Sequence, residues 1–274
     1  MRIGRARAAA LTITICVSVL GALAGVLAGP LPLVSRAMGG AAAFGAALLP
    51  VLRRGWSGRA LRDWTRARSV SEALKSEVYL SLAGAGDYRG DVHSARLREK
   101  TDAVRGDGSD LLRYQVGIVS VHRELPPVDD VSSYFAVRVT DQIDNYYRRR
   151  AGELQVRLWW FRATEIALAV LGAAFGAMAA ALGGPFFAPW IAVVATITAA
   201  LAVHVAATRY EFQLIEFLRT ADRLEQLKSA AVAGGSVTEL DALVVSAESV
   251  ISIENQGWMA KLAEDSPEQK AADG

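Results

Sequence analysis

Ala8 to Gly29 is a run of 22 residues without one charged side chain. A helix needs about 20 such residues to cross ~30 Å of hydrocarbon, and no other feature narrows the possible folds so far. A second apolar segment follows Pro30. Its uncharged part, Ala37 to Leu52, covers only ~24 Å at ~1.5 Å per residue, so a span there begins before Arg36, whose side chain snorkels outward. A third span runs from about Ala163 to Gly184 with Glu165 at its entrance, and a fourth from about Pro189 to Ala207 with His204 near its end. The connections are short, Gly29-Pro30 and Gly183-Gly184-Pro185, so the four spans form two hairpins. A cleaved signal peptide would also place Arg2, Arg5 and Arg7 ahead of an apolar core. The second apolar segment follows after a tiny turn, which suits a hairpin better.

Composition agrees. A mean hydropathy of +0.25 with 52% hydrophobic residues excludes disorder and sits badly with a soluble globule. The single cysteine, Cys16, excludes a disulfide framework and a cysteine zinc site, and places that thiol inside span one. A net charge of +2 offers no basic field for nucleic acid. The basic residues are nevertheless sorted. Arg2, Arg5 and Arg7 precede span one; Arg53, Arg54, Arg59 and Arg62 follow span two; Arg148, Arg149, Arg150 and Arg157 precede span three; Arg209 follows span four. Only Arg36 lies near an outer turn. By the positive-inside rule both termini and the centre of the chain should face the cytoplasm.

The two halves match at an offset of 153 residues, with Phe217 over Trp64. Arg66/Arg219, Glu72/Glu225, Leu74/Leu227, Lys75/Lys228 and Ser76/Ser229 are identical, and the same offset superimposes the hairpins without a gap. Both hairpins enter from one side, so the repeats are parallel, unlike the inverted repeats of many transporters. The expected domains are 1–128, with spans at about 8–29 and 31–52 and a helix over 56–82, and 129–263, with a tail over 264–274.

Between the spans the pattern is helical. Span two should continue as a helix to Leu82, with Trp56, Leu61, Trp64, Ala67, Leu74, Val78 and Leu82 as its apolar stripe and Gly84 to Gly90 as its end. Residues 91–128 are mixed, and Val116 to Val121 reads as a short strand or a buried helical turn. Asp129 or Asp130 caps a helix over 131–161 with a stripe of Val131, Phe135, Val139, Ile143, Tyr146, Leu154, Leu158 and Phe161. A helix over 209–232 presents Tyr210, Leu214, Phe217, Ala221, Leu224 and Leu227. Gly234-Gly235 breaks it, and Ser236-Val-Thr-Glu239 is a capping box for a last helix over 236–263, whose stripe is Leu240, Leu243, Ala247, Val250, Ile251, Glu254, Trp258 and Leu262.

These residues resemble the bacterial two-transmembrane SLATT proteins, which overlap a family catalogued as a domain of unknown function. Tyr134-Phe-Ala-Val-Arg138-Val-Thr-Asp-Gln142-Ile-Asp-Asn-Tyr146-Tyr147 resembles the family's helix before its hairpin. Phe161-Arg162-Ala-Thr-Glu165 opens the span in the same way, and Ser252-Ile-Glu254-Asn-Gln-Gly-Trp258 resembles its closing segment. The first half matches after its hairpin, through Trp64, Arg68, Ser71-Glu72-Ala-Leu-Lys75-Ser-Glu77-Val-Tyr79 and Ala85-Gly86-Asp87-Tyr88, and lacks the helix ahead of it. The resemblance implies a membrane effector of bacterial conflict systems that forms pores as a homo-oligomer, together with a sensor of nucleotide signals.

No catalytic, cofactor or metal site is expected. His93, His122 and His204 do not pair at ligand spacing, no G-x-x-x-x-G-K-[ST] or G-x-S-x-G element occurs, and acidic residues are scattered. Two features remain. Gly21, Gly25 and Gly29, and more weakly Gly172 and Gly176, let helices approach within a chain or between copies. Arg162, Glu165 and His204 are polar at span ends; Arg162 and Glu165 stand i,i+3 and read as a local ion pair, and His204 as an interfacial histidine. The expected partners are the bilayer, further copies and a sensor protein. A non-pore scaffold recruiting a partner through its cytoplasmic helices is the alternative, and a small-solute transporter is disfavoured by the parallel repeats.

Overall fold

The computed structural model describes residues 2–54, 58–90, 93–119, 121, 124–182 and 186–264. Among them the regular elements are helical: α1 (Arg2–Leu27), α2 (Pro32–Arg54), α3 (Gly58–Leu82), α4 (His93–Asp107), α5 (Val131–Tyr134), α6 (Arg149–Leu182), α7 (Ala188–Thr208), α8 (Tyr210–Ala233) and α9 (Val237–Glu264). Two π-helical stretches, Phe135–Val139 and Gln142–Arg148, join α5 to α6 in one helical run. The expected bend at Gly55, Trp56, the 183–185 turn and residues 265–274 of the tail lie outside the described residues. Two compact units form, each drawing on both halves of the sequence: a hairpin unit, Met1–Ser57 with Glu153–Phe212, and a bundle unit, Gly58–Gly152 with Gln213–Gly274.

In the hairpin unit α1 turns into α2 through Ala28-Gly29-Pro30, and the Leu31 N–H donates to the Leu27 carbonyl at 2.9 Å. Pro32 opens α2, where its fixed φ suits the first helical position and its missing N–H costs nothing. The seam is built from small residues. Ala22, Ala24 and Ala42 are buried, a Cβ on Gly39 would stand 3.9 Å from Ala24, and one on Gly45 only 2.7 Å from Val17. Such close approach lets the Ser35 hydroxyl cross to the Ala24 carbonyl at 2.7 Å. α1 also packs on α7, whose Val193, Val194 and Leu201 are buried. Cys16 is exposed, because neighbouring helices cover only part of the surface of α1. Two helical runs, Val131–Leu182 and Ala188–Ala233, are long and apolar enough to cross a membrane, and Thr12–Leu27 is a shorter apolar helix. The second of these runs is interrupted at Arg209, which caps α7 in a left-handed conformation (φ 47°) and donates its N–H to the Val205 carbonyl at 3.1 Å.

In the bundle unit α3 packs on α4 and α9. The stripe read along α3 is corrected at its start. Trp64 is 49% exposed and Ala67 is exposed, whereas Asp63 and Thr65 are buried. Asp63 turns inward because its carboxylate accepts from Arg113 at 2.8 Å and Tyr114 at 2.6 Å. Together they hold its carboxyl below the usual range, the Tyr114 bond most strongly. Among its described residues the segment from Val116 to Val121 is neither strand nor buried: Val116, Ile118, Val119 and Val121 are exposed. Gly117, at φ 82°, breaks it, and no described strand lies beside it to pair with. The glycine-rich end of α3 behaves as read, with Gly84 and Gly86 at positive φ and the Gly86 N–H donating to Asp241 of α9.

Asp130 caps α5, its carboxylate accepting the Ser133 N–H at 2.7 Å while the Ser133 hydroxyl accepts the Asp130 N–H at 3.0 Å. Beyond it Phe135, Val139, Ile143, Tyr147 and Ala151 are all buried and fall four apart. An α-helix turns ~100° per residue, so each step of four drifts ~40° and four steps carry the stripe ~160° around the helix. A straight buried stripe at that spacing needs a wider helix, and the two π stretches supply it. Tyr147, not Tyr146, therefore continues the stripe, with Tyr146 only half-buried. The threonine hydroxyl of Thr140 donates to the Phe135 carbonyl, five residues back, at 2.9 Å. In α8, Phe217, Ala221 and Leu224 are buried as read; in α9, Ala247, Val250 and Ile251 are, joined by Val244 and Glu248. The side chains of Glu254, Trp258 and Leu262 lie outside the described residues. The capping box at Ser236 forms, with the Ser236 N–H donating to Glu239 at 2.7 Å.

Candidate functional site

Of the glycines read as helix contacts, two meet a neighbour. A Cβ on Gly25 would lie 3.9 Å from Pro189 of α7, and one on Gly172 of α6 would lie 3.3 Å from Val194 of α7. Gly21, Gly29 and Gly176 meet nothing within 4 Å. The closest approach, at Gly45, and the Ser35 hydrogen bond were not singled out from sequence, because neither belongs to a G-x-x-x-G step. Four hydroxyls in the apolar helices, unlike that of Ser35, turn back on their own backbone. Ser18 donates to Thr14, Thr164 to Trp160, Thr196 to Ala192 and Thr198 to Val194, each four residues back at 2.8–2.9 Å. None of these hydroxyls donates to another helix, as a polar lining between helices would require.

The polar residues at the span ends are arranged differently from the local pair expected. Arg162 bonds Glu211 at 2.6 Å, not Glu165. Glu211 stands in the first turn of α8, where free backbone N–H groups favour a carboxylate, and the long arginine side chain reaches it from α6. His204 lies in an aromatic cluster, its ring centroid 5.7 Å from Phe161 and 6.4 Å from Tyr210, with Phe161 and Tyr210 stacked. Trp159 and Trp160, in edge contact with each other, are exposed beside them. Aromatic rings at the end of an apolar helix are suited to the headgroup layer. Among the described residues no three His, Cys, Asp or Glu side chains gather as a metal site would require.

A buried ion pair lies in the bundle unit. Arg138 and Glu248 are buried, their side chains 5% and 4% exposed. Glu248 Oε1 accepts the Arg138 Nε–H at 3.1 Å and the Tyr134 hydroxyl at 2.9 Å. The guanidinium stands over the Tyr79 ring at 4.5 Å, and its Nη2, with no hydrogen-bond partner, faces Glu72 Oε2 at 4.0 Å. Burial works against the arginine's charge, but the field and hydrogen bonds of Glu248 raise its pKa above the ordinary value. Burial first, then the Glu248 charge, pushes the Tyr134 hydroxyl far above its usual range. Neither arginine nor tyrosine therefore exchanges a proton near neutrality. The cluster is a clamp joining α3, the π-helical run and α9. In the sequence Tyr134 and Arg138 stand within the SLATT-like helix with no role marked by a motif; a cation beside an apolar period-four stripe is the signal for the clamp.

Residues 134–258 match the family described as SMODS and SLOG-associating 2TM effector domain 1, and residues 2–95 match a protein family of unknown function, DUF4231. No curated protein and no solved structure matches the chain. The first match starts at Tyr134, in the clamp, and ends at Trp258, so it takes in both partners of the buried ion pair together with α6 and α7. The chain is thus similar to the SLATT 2TM effector domains over 134–258 and to a family of unknown function over 2–95.

Proposed function

We propose that the chain is a membrane effector that crosses the bacterial inner membrane four times, assembles with further copies and makes that membrane permeable. The 2TM effector match over 134–258 carries this reading. Parallel duplication supports the four spans. Shifted by 153 residues, α1, α2 and α3 become 155–180, 185–207 and 211–235, against Arg149–Leu182, Ala188–Thr208 and Tyr210–Ala233 for α6, α7 and α8. Because Ser18, Thr164, Thr196 and Thr198 bond their own helices, an ion pathway would form between copies rather than within one. Gly21, Gly29 and Gly176, whose Cβ would meet nothing within 4 Å among the described residues, are small-residue positions open to contact between copies. The family's description as SMODS- and SLOG-associating supports a sensor protein as partner. No catalytic step, cofactor or nucleic acid enters this mechanism.

Topology can be tested directly. In a Cys16→Ser background, single cysteines at Leu31 and Phe186 should react with a membrane-impermeant maleimide in intact spheroplasts. One at Gly90 should react only after the membrane is opened. Protection at Leu31 would contradict the proposed placement of the first hairpin, with its turn on the outer side.

Induced expression of the full chain in a bacterium should stop growth, and cross-linking in isolated membranes should give a ladder of self-linked species. Normal growth with the chain inserted and no ladder would overturn the proposal. The scaffold reading is favoured by one observation: Leu112, Tyr114, Val116, Ile118, Val119, Val121 and Leu125 are exposed within a short stretch, a patch suited to a protein partner. A dominant hetero-protein cross-linked to that stretch, without self-linked species, would establish it instead.

A further inference from the structure

We propose that the π-helical run between α5 and α6 is a register switch, set by the Arg138–Glu248 clamp. The inference rests on the effector reading only for its purpose, which is to control α6.

The stripe of Phe135, Val139, Ile143, Tyr147 and Ala151 can face one core only while the helix is underwound. The same residues have a second option. If one π turn anneals to α, the helix beyond it turns by ~100° and advances by ~1.5 Å, the increments of one residue. The buried stripe then divides. Its upstream part stays with α9, and each downstream position is taken by the residue before it. Nothing on the backbone prevents this exchange, since the run holds no proline or glycine from Val131 to Ala151. π-Helical turns are rare and are frequently found at functional sites, as this geometry would favour.

The clamp decides between the two registers. Glu248 takes Tyr134 from the turn before the π run and Arg138 from inside it, so the ion pair fixes the first π stretch against α9. A buried ion pair adds little stability over an apolar substitute, and its best-attested use is to specify one register. The clamp is also incomplete, with Nη2 of Arg138 unbonded and Glu72 at 4.0 Å. Downstream, Arg148 reports the register through its 2.9 Å bond to Glu225 of α8, and Tyr147 through its ring contact with Phe217.

The test uses the full chain in membranes, with Cys16→Ser and a cysteine at Glu225. A second cysteine is placed in turn at Tyr146, Tyr147 or Arg148, and a short bis-maleimide joins the pair. In the parent chain the 148–225 pair should link best. Adding Glu248→Gln should lower that yield by at least half and raise the 147–225 or 146–225 yield to match. If Glu248→Gln does not fold, Glu72→Gln is read in its place, with a smaller shift in the same direction. Deleting Ala136, an exposed residue of the first π stretch, removes that turn while keeping the downstream register, so 148–225 should still link best, now insensitive to Glu248→Gln. Deleting exposed Gln155 in α6 is the comparison and should be tolerated less well. Unchanged linking at 148 in folded Glu248→Gln protein would overturn the switch, as would unfolding by the Ala136 deletion but not the Gln155 deletion. A shifted register without any change in membrane potential would leave the switch standing and overturn the effector reading.

Discussion

Truncating Glu248 to alanine is expected to destabilise the bundle unit by about 3–5 kcal/mol, because it leaves the Arg138 charge buried without a partner. The loss should show in the thermal melt of the full chain in detergent, followed by far-UV circular dichroism. Replacing both partners by apolar residues of similar size, Arg138→Met with Glu248→Leu, should recover most of it, since burying neither charge avoids both desolvation penalties. Tyr134 then loses its acceptor, which costs about 1–3 kcal/mol, so recovery is incomplete unless Tyr134→Phe is added. Equal destabilisation by the single and double variants would show that shape, not charge pairing, matters at this position.

Gly45→Leu should also be damaging, and for a steric reason. The first side-chain carbon alone would lie 2.7 Å from Val17, a distance that packed carbons do not adopt. Overpacking of this kind costs about 1–3 kcal/mol, and here it also pries apart the seam that lets Ser35 reach Ala24. The Gly45→Leu chain should therefore melt lower and be cleared from membranes faster than the parent. Gly21→Leu is the informative contrast, because nothing stands within 4 Å of its Cβ in one chain. It should fold normally and reduce self-cross-linking. Equal behaviour of the two variants would remove Gly21 from contact between copies.

Much of the architecture was legible because membrane helices and caps depend on local sequence. Uncharged length marks the apolar helices, and Asp130 with Ser133 and Ser236 with Glu239 mark two helix starts that form as the side chains require. What was not legible depends on partners remote in sequence. Trp64 looked like a core residue until Asp63, held by Arg113 and Tyr114, claimed the inward face. Arg162 had a candidate partner one turn away at Glu165 and bonds Glu211 across helices instead. The period-four stripe was visible in the sequence, but the step from Ile143 to Tyr146 follows α-helical spacing, which a π-helical run does not obey. The clamp draws on α3, the π run and α9, so no short motif could contain it. Gly45 escaped notice because a glycine's neighbour is set by the register of two helices, not by spacing along one.

Membrane potential in living cells is the quantity closest to the proposed activity. With a voltage-sensitive dye, cells induced to express the full chain should depolarise before growth stops, and cells expressing the Gly45→Leu chain should stay polarised. Growth arrest with the potential intact would contradict a permeabilising role and leave recruitment of a partner as the function.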